Sequence, residues 1–155
     1  MKLTSTAFEP NGSMPAKHTC EGSNTSPPLS WSDAPSGTQS FALIVEDPDA
    51  PDPDAPTRIV THWVLFDLPH TTQSIAEGGT DLPAGAKQGL NYRGDAKYMG
   101  PCPPIGRHRY FFKLYALDQT IVDLGSPQKA ELEKAMRGHV LASSELIGTY
   151  QKQAT

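Results

Sequence analysis

The sequence predicts a mainly β fold, an antiparallel β-sandwich with one peripheral helix near the C-terminus. Three observations predict it. Short apolar segments rich in β-branched and aromatic residues recur along the chain. Turn residues separate them, with 13 glycines and 15 prolines among 155 residues. One late stretch carries helix start and stop signals.

In chain order the expected strands are residues 2–6, 29–31, 40–46, 60–68, 87–91, 108–117 and 141–148. The 41–45 run, FALIV, is wholly apolar and reads as a strand. Residues 110–115 are aromatic or aliphatic except Lys113, which suits a mostly buried strand. The helix is expected over residues 127–137. Ser126 can cap it, Pro127 suits its first position, and Gly138 sits where a left-handed C-terminal residue belongs. Leu132 and Met136 then share a face, and Lys129 and Glu133 form a surface pair.

At this length the chain reads as one domain, residues 1–155, with room for a substantial core. Its apolar runs fall far short of the roughly 18 residues a membrane helix needs. The stretch MKLTSTAFEPNG has no apolar leader pattern, so a cytoplasmic location is expected. A net charge of −4 gives no reason to expect nucleic acid. The charge is uneven, however. Residues 46–54 hold five carboxylates and no base, and residues 87–113 hold six Lys or Arg against Asp95 alone. Two such lobes facing each other suit a ligand pocket whose basic side supplies an anion's partners.

Two segments share one plan. Strand 41–45 empties into a Pro-interleaved acidic loop, and the next strand carries His62 near its start. Downstream, the rigid stretch GPCPPIG leads directly into His108, Arg109 and Tyr110. Few backbone states are open to such a loop, so it can present polar groups from a strand start at little entropic cost. Histidine suits an oxyanion because it gains charge near its ordinary pKa of about 6.5 and donates hydrogen bonds. DPDAP occurs twice, at 47–51 and 52–56. The first copy follows the strand directly, so Asp47 and Asp49 belong to the site, while Asp52 and Asp54 are solvated spacers.

The succession DPDAP, HWVLFDLP and GPCPPIGRHRY resembles the phosphatidylethanolamine-binding protein family, in its bacterial and archaeal Raf-kinase-inhibitor-like branch. CEGSNTSPPLSW, QGLN and HVLASSELIGTY extend the resemblance over nearly the whole chain. It implies the same β-sandwich and an anion pocket built from Asp47, Asp49, His62, His108 and Tyr110. Gly100 and the backbone around Cys102, Pro103 and Pro104 would form its wall, with free loop amides adding donors. Arg107 is expected at the rim, and Arg109 is expected to point outward or make a structural ion pair. Tyr92-Arg93 and Met99 depart from the family's usual residues and crowd the rim.

The function expected is non-catalytic binding of a small anion or phosphorylated head group, with modest affinity and no cofactor. The alternative is a kinase- or protease-inhibitor-like regulator whose rim loops contact a protein. A homodimer is suggested only by the bacterial branch, and no membrane insertion is expected. No nucleophile elbow occurs, and no compact ligand spacing suggests a metal. Cys20 and Cys102 fit neither a disulfide framework nor a zinc site, and they are read as reduced thiols, with a redox-sensitive pair as the alternative.

Overall fold

The computed structural model describes residues 1–79, 81–121 and 124–153. Its strands are β1 (Leu29–Ser30), β2 (Ser40–Ala50), β3 (Arg58–Pro69), β4 (Ser74–Ile75), β5 (Lys87–Gln88), β6 (Arg107–Leu117) and β7 (Val140–Gln151). Among the described residues there is one α-helix, α1, at Lys129–Met136. Five strands form one antiparallel sheet in the order β5-β3-β2-β6-β7, and β1 pairs with β4 separately. The mainly antiparallel β class with one late helix is as expected.

The period of two along β2 explains the layers. Phe41, Leu43 and Val45 join Leu65, Phe112, Leu114 and Trp63 on one face, covered by Leu3, Phe8, Met14, Leu29 and Trp31. Ala42 and Ile44 join Val64 and Phe66 on the other, beneath Leu132 and Met136 of α1. The central strand is thus buried on both sides, which is why FALIV shows no polar alternation. Each such large apolar side chain contributes about 1.5–3 kcal/mol on burial.

Several boundaries differ from expectation. Residues 2–6 form no strand, only a bridge between Thr4 and Ser30. Of residues 87–91 only Lys87 and Gln88 pair in register, because after one more bond to β3 the chain turns to the segment before the helix. Gly89 N–H bonds Val64 O, and Leu90 N–H bonds Pro127 O. The helix begins at Lys129 with Gln128 as its cap, not with Ser126 and Pro127. Glu131 reaches back to the Gln128 N–H at 3.1 Å, which satisfies a terminal donor that Ser126 was expected to serve. Lys129 pairs with the buried Glu46 on β2 rather than with Glu133. Leu132 and Met136 share the buried face, and Gly138 adopts φ 85°, both as expected.

Candidate functional site

The acidic end of β2 and the starts of β3 and β6 meet at one end of the main sheet, because these neighbours run antiparallel. The loop carrying Cys20 and Asn24 and the segment from Tyr92 to Pro104 close around that end. Together they enclose a cavity of about 340 Å³. Asp47, His62, Gly100, Cys102, Pro103, His108 and Tyr110 all line it, as does Met99. Asp49 does not.

A bulge places His62. Val45 pairs with Trp63 and Glu46 with Thr61, so His62 is the extra residue that β3 carries between them. Such bulges re-aim side chains beside functional sites. The imidazole Nδ1 donates to the Met99 carbonyl at 2.6 Å, and the Met99 N–H returns a bond to the His62 carbonyl at 2.9 Å. Since a carbonyl can only accept, the neutral ring carries its hydrogen on Nδ1 and leaves a lone pair on Nε2. Burial, with His62 only 4% exposed, holds its pKa below the ordinary range. The Met99 carbonyl and the Asp47 charge oppose that shift without reversing it.

Beside it stands Tyr110, whose ring meets that of His62 edge to face at 5.2 Å. The Tyr110 hydroxyl is buried and has no hydrogen-bond partner among the described residues. Burial pushes its pKa well up, with nearby carboxylates adding to the effect, so it remains a donor at any ordinary pH. A buried hydroxyl without a partner is costly, and its place on a cavity wall marks a position that a polar ligand atom can fill.

His108 differs. Its Nδ1 lies 2.6 Å from Asp47 Oδ2, and its Nε2 faces the carbonyls of Ile105 at 2.9 Å and Pro51 at 3.1 Å. Nε2 therefore carries a hydrogen, and Nδ1 and Asp47 share one proton between them. Both nitrogens are engaged, and the residue is fully buried. It ties β6 to the acidic end of β2 and to its own preceding loop. Asp47 is occupied likewise, because its Oδ1 accepts the Asp49 N–H at 2.7 Å.

Asp49 is drawn off by Arg109. The guanidinium meets it through Nε at 3.0 Å and Nη2 at 2.9 Å, and the Arg109 N–H adds a third bond at 2.9 Å. These hydrogen bonds, outweighing burial, hold the Asp49 carboxyl below its usual range. Arg109 thus makes the structural ion pair expected of it. Asp52 and Asp54 lie beyond, where Asp52 accepts the Asp54 N–H in an exposed turn.

The wall departs from expectation in two respects. Cys20 and Cys102 are joined by a disulfide across 82 residues rather than being free thiols. They meet because the two loops are already seamed: Cys20 N–H bonds Pro101 O, Tyr98 Oη donates to His18 O, and Asn24 Oδ1 accepts the Gly100 N–H. Gly100 is required there, since a Cβ would fall 2.2 Å from Asn24 Oδ1 and 2.5 Å from His18 O. The loop also offers few amides. Gly100's N–H is engaged and positions 101, 103 and 104 are proline, which leaves Cys102 as the one amide donor of residues 100–104. Arg107, expected at the rim, bonds Thr149 on β7 instead. The rim cations are Arg58 and Arg93. Arg58 carried no signal in the sequence, because only the pairing of Arg58 with Ala50 brings it to the cavity.

Comparison with known proteins agrees with this architecture. The family model described as phosphatidylethanolamine-binding protein matches residues 4–151. A UPF0098 protein of Methanothermobacter thermautotrophicus is 46% identical over 98% of this chain and 99% of its own length. The crystal structure of a phosphatidylethanolamine-binding protein homologue from Chlamydia trachomatis superposes with a TM-score of 0.90 at 43% identity, covering 98% of this chain and 97% of that one. Escherichia coli YbcL, described as a member of the mammalian family, superposes at 0.87 with 34% identity, covering 98% of each. This chain belongs to the phosphatidylethanolamine-binding protein family.

Proposed function

We propose that this family member is a non-catalytic binding protein whose cavity takes a small oxyanion or phosphorylated head group. One observation carries the reading: the unpartnered Tyr110 hydroxyl and the open Nε2 of His62 share one buried cavity wall. Tyr110 donates to an anionic oxygen. The neutral His62 accepts from a protonated ligand oxygen, or takes up a proton and donates. Few donors and a small contact area correspond to micromolar-to-millimolar affinity.

The absence of turnover is part of the proposal and rests on how His108 is used. A histidine oriented by a carboxylate has the form of a catalytic dyad, but a general base needs a nucleophile against its other nitrogen. Here that nitrogen donates to two carbonyls. The neighbouring thiol, Cys102, is held in a disulfide. That bond also sits uneasily with a cytoplasmic location, since cytosolic thiols are generally kept reduced.

Calorimetric titration with inorganic phosphate tests the reading. Wild type should bind, and Tyr110→Phe, which removes one hydroxyl and little else, should bind at least tenfold more weakly. Undiminished binding by that variant would place the anion elsewhere. Turnover of any phosphoester, ester or peptide substrate, lost in His62→Ala, would overturn the non-catalytic part. A second reading, docking of a protein on the rim, draws on the exposed side chains of Tyr92 and Ile105 in the loops around the cavity. It predicts a partner lost on replacing Tyr92 or Ile105 with Asp while phosphate binding persists.

A further inference from the structure

Resting on the reading of the inner pocket, we propose that the rim arginines Arg58 and Arg93 form a second anion subsite. The preferred ligand is then a phosphate monoester bearing a second anionic group, a carboxylate or another phosphate, rather than a zwitterion such as phosphoethanolamine.

Both cations are held at the mouth by fixed backbone. Arg58 opens β3 in register with Ala50. Arg93 sits in a loop organised by the buried Asn91. That side chain accepts the N–H groups of Arg93 at 2.9 Å and Asp95 at 3.1 Å, and it donates to Lys97 O at 3.0 Å. Such a loop presents its side chain without first paying to order the chain. Among the described residues neither arginine makes an ion pair, whereas Arg109, Lys113 and Lys129 each meet a carboxylate. Guanidinium groups match carboxylate and phosphate in two-point geometry, and a cleft of one sign concentrates the opposite one.

The complementary argument concerns what an ammonium would find. Among the described residues Asp47 is the only carboxylate lining the cavity, and both its oxygens are engaged by Asp49 N–H and His108. The carbonyls of Met99, Pro51 and Ile105 already accept from His62 and His108. A bound amine would have two positive neighbours and no free acidic partner. Asp52 and Asp54, on the loop that leads into Arg58, do not line the cavity.

The test compares three probes by calorimetry at one pH and physiological salt: inorganic phosphate, phosphoglycolate and phosphoethanolamine. Wild type should bind phosphoglycolate at least tenfold more tightly than phosphoethanolamine. In Arg58→Gln/Arg93→Gln that ratio should fall to within twofold, and in Arg58→Lys/Arg93→Lys, which keeps the charge, at least part of it should return. Both arginines are exposed, so unchanged circular dichroism should accompany the loss. Phosphate binding with phosphoethanolamine equal to or tighter than phosphoglycolate overturns this inference alone. So does a ratio that survives the glutamine pair. Failure of wild type to bind any of the three overturns the inner-pocket reading and this inference with it.

Discussion

His62 and His108 lie near the starts of β3 and β6, the two strands that flank β2, and each stands near an aromatic residue close to a Pro-rich loop. Their surroundings make them opposites. His108 faces a carboxylate on one side and two carbonyls on the other, so every hydrogen-bonding position is occupied by protein. His62 meets one carbonyl and turns its other nitrogen to the cavity. One is a strut and the other a candidate contact. What separates them is the count of partners within reach. A polar group whose partners are all internal contributes to stability, and one left with a vacant position in a cavity is available for binding.

The largest effect should come from the strut. His108→Ala leaves Asp47 a buried carboxylate without its partner, and loss of about 3–5 kcal/mol of stability is expected from urea unfolding. A loss below about 1 kcal/mol, together with abolished phosphate binding, would reverse the roles assigned to the two histidines. The seam behind the cavity comes next. Replacing Cys20 and Cys102 together with alanine removes a crosslink across 82 residues, with an expected loss of about 2–5 kcal/mol. Little change in unfolding midpoint would mean that the backbone bonds between these loops suffice.

The candidate contact should show the reverse pattern. His62→Gln should weaken phosphate binding by about 1.5–3 kcal/mol while costing about 1 kcal/mol of stability. A stability loss as large as that of His108→Ala, with binding intact, would sink the comparison.

The pH dependence sharpens it further. Burial depresses the His62 pKa in the free protein, so an oxyanion at Nε2 brings a proton with it, either on the ring or on the ligand oxygen that faces it. The complex then binds more protons than the free protein, and affinity should strengthen as pH falls from about 8 towards 6. Below about pH 6, protonation of a phosphate monoester removes charge and the gain should stop. His62→Gln should flatten the profile, and an unchanged slope would mean that another group takes up the proton. For folding the same shift has the opposite sense. The unfolded chain binds more protons at His62 below about pH 6.5, so this residue's contribution to stability is complete above that pH and is lost as pH falls towards the depressed folded value. The smallest effect is expected at Asp52. Asp52→Ala removes one exposed turn bond and should change neither stability nor phosphate affinity by more than about 0.5 kcal/mol.

By itself the sequence determined the class of fold and the neighbourhood of the site. Local chemistry suffices for that: an apolar run with no alternation must be covered on both faces, and Gly138 ends a helix wherever that helix lies. The placement of Asp47 on the cavity wall was legible for the same reason, since a strand leads directly into the first DPDAP copy, but Asp49 of that copy does not line the cavity. Tertiary structure decided how each polar group is used. No property of Asp49 in the sequence reveals that Arg109 neutralises it, because the two meet only when β6 lies beside the end of β2. The bulge that aims His62 depends on the register between β2 and β3, and the pairing of Cys20 with Cys102 depends on two loops packing around a glycine. Hydrogen bonds and disulfides are satisfied by proximity in space, which a one-dimensional pattern records only where the partners are also neighbours in the chain.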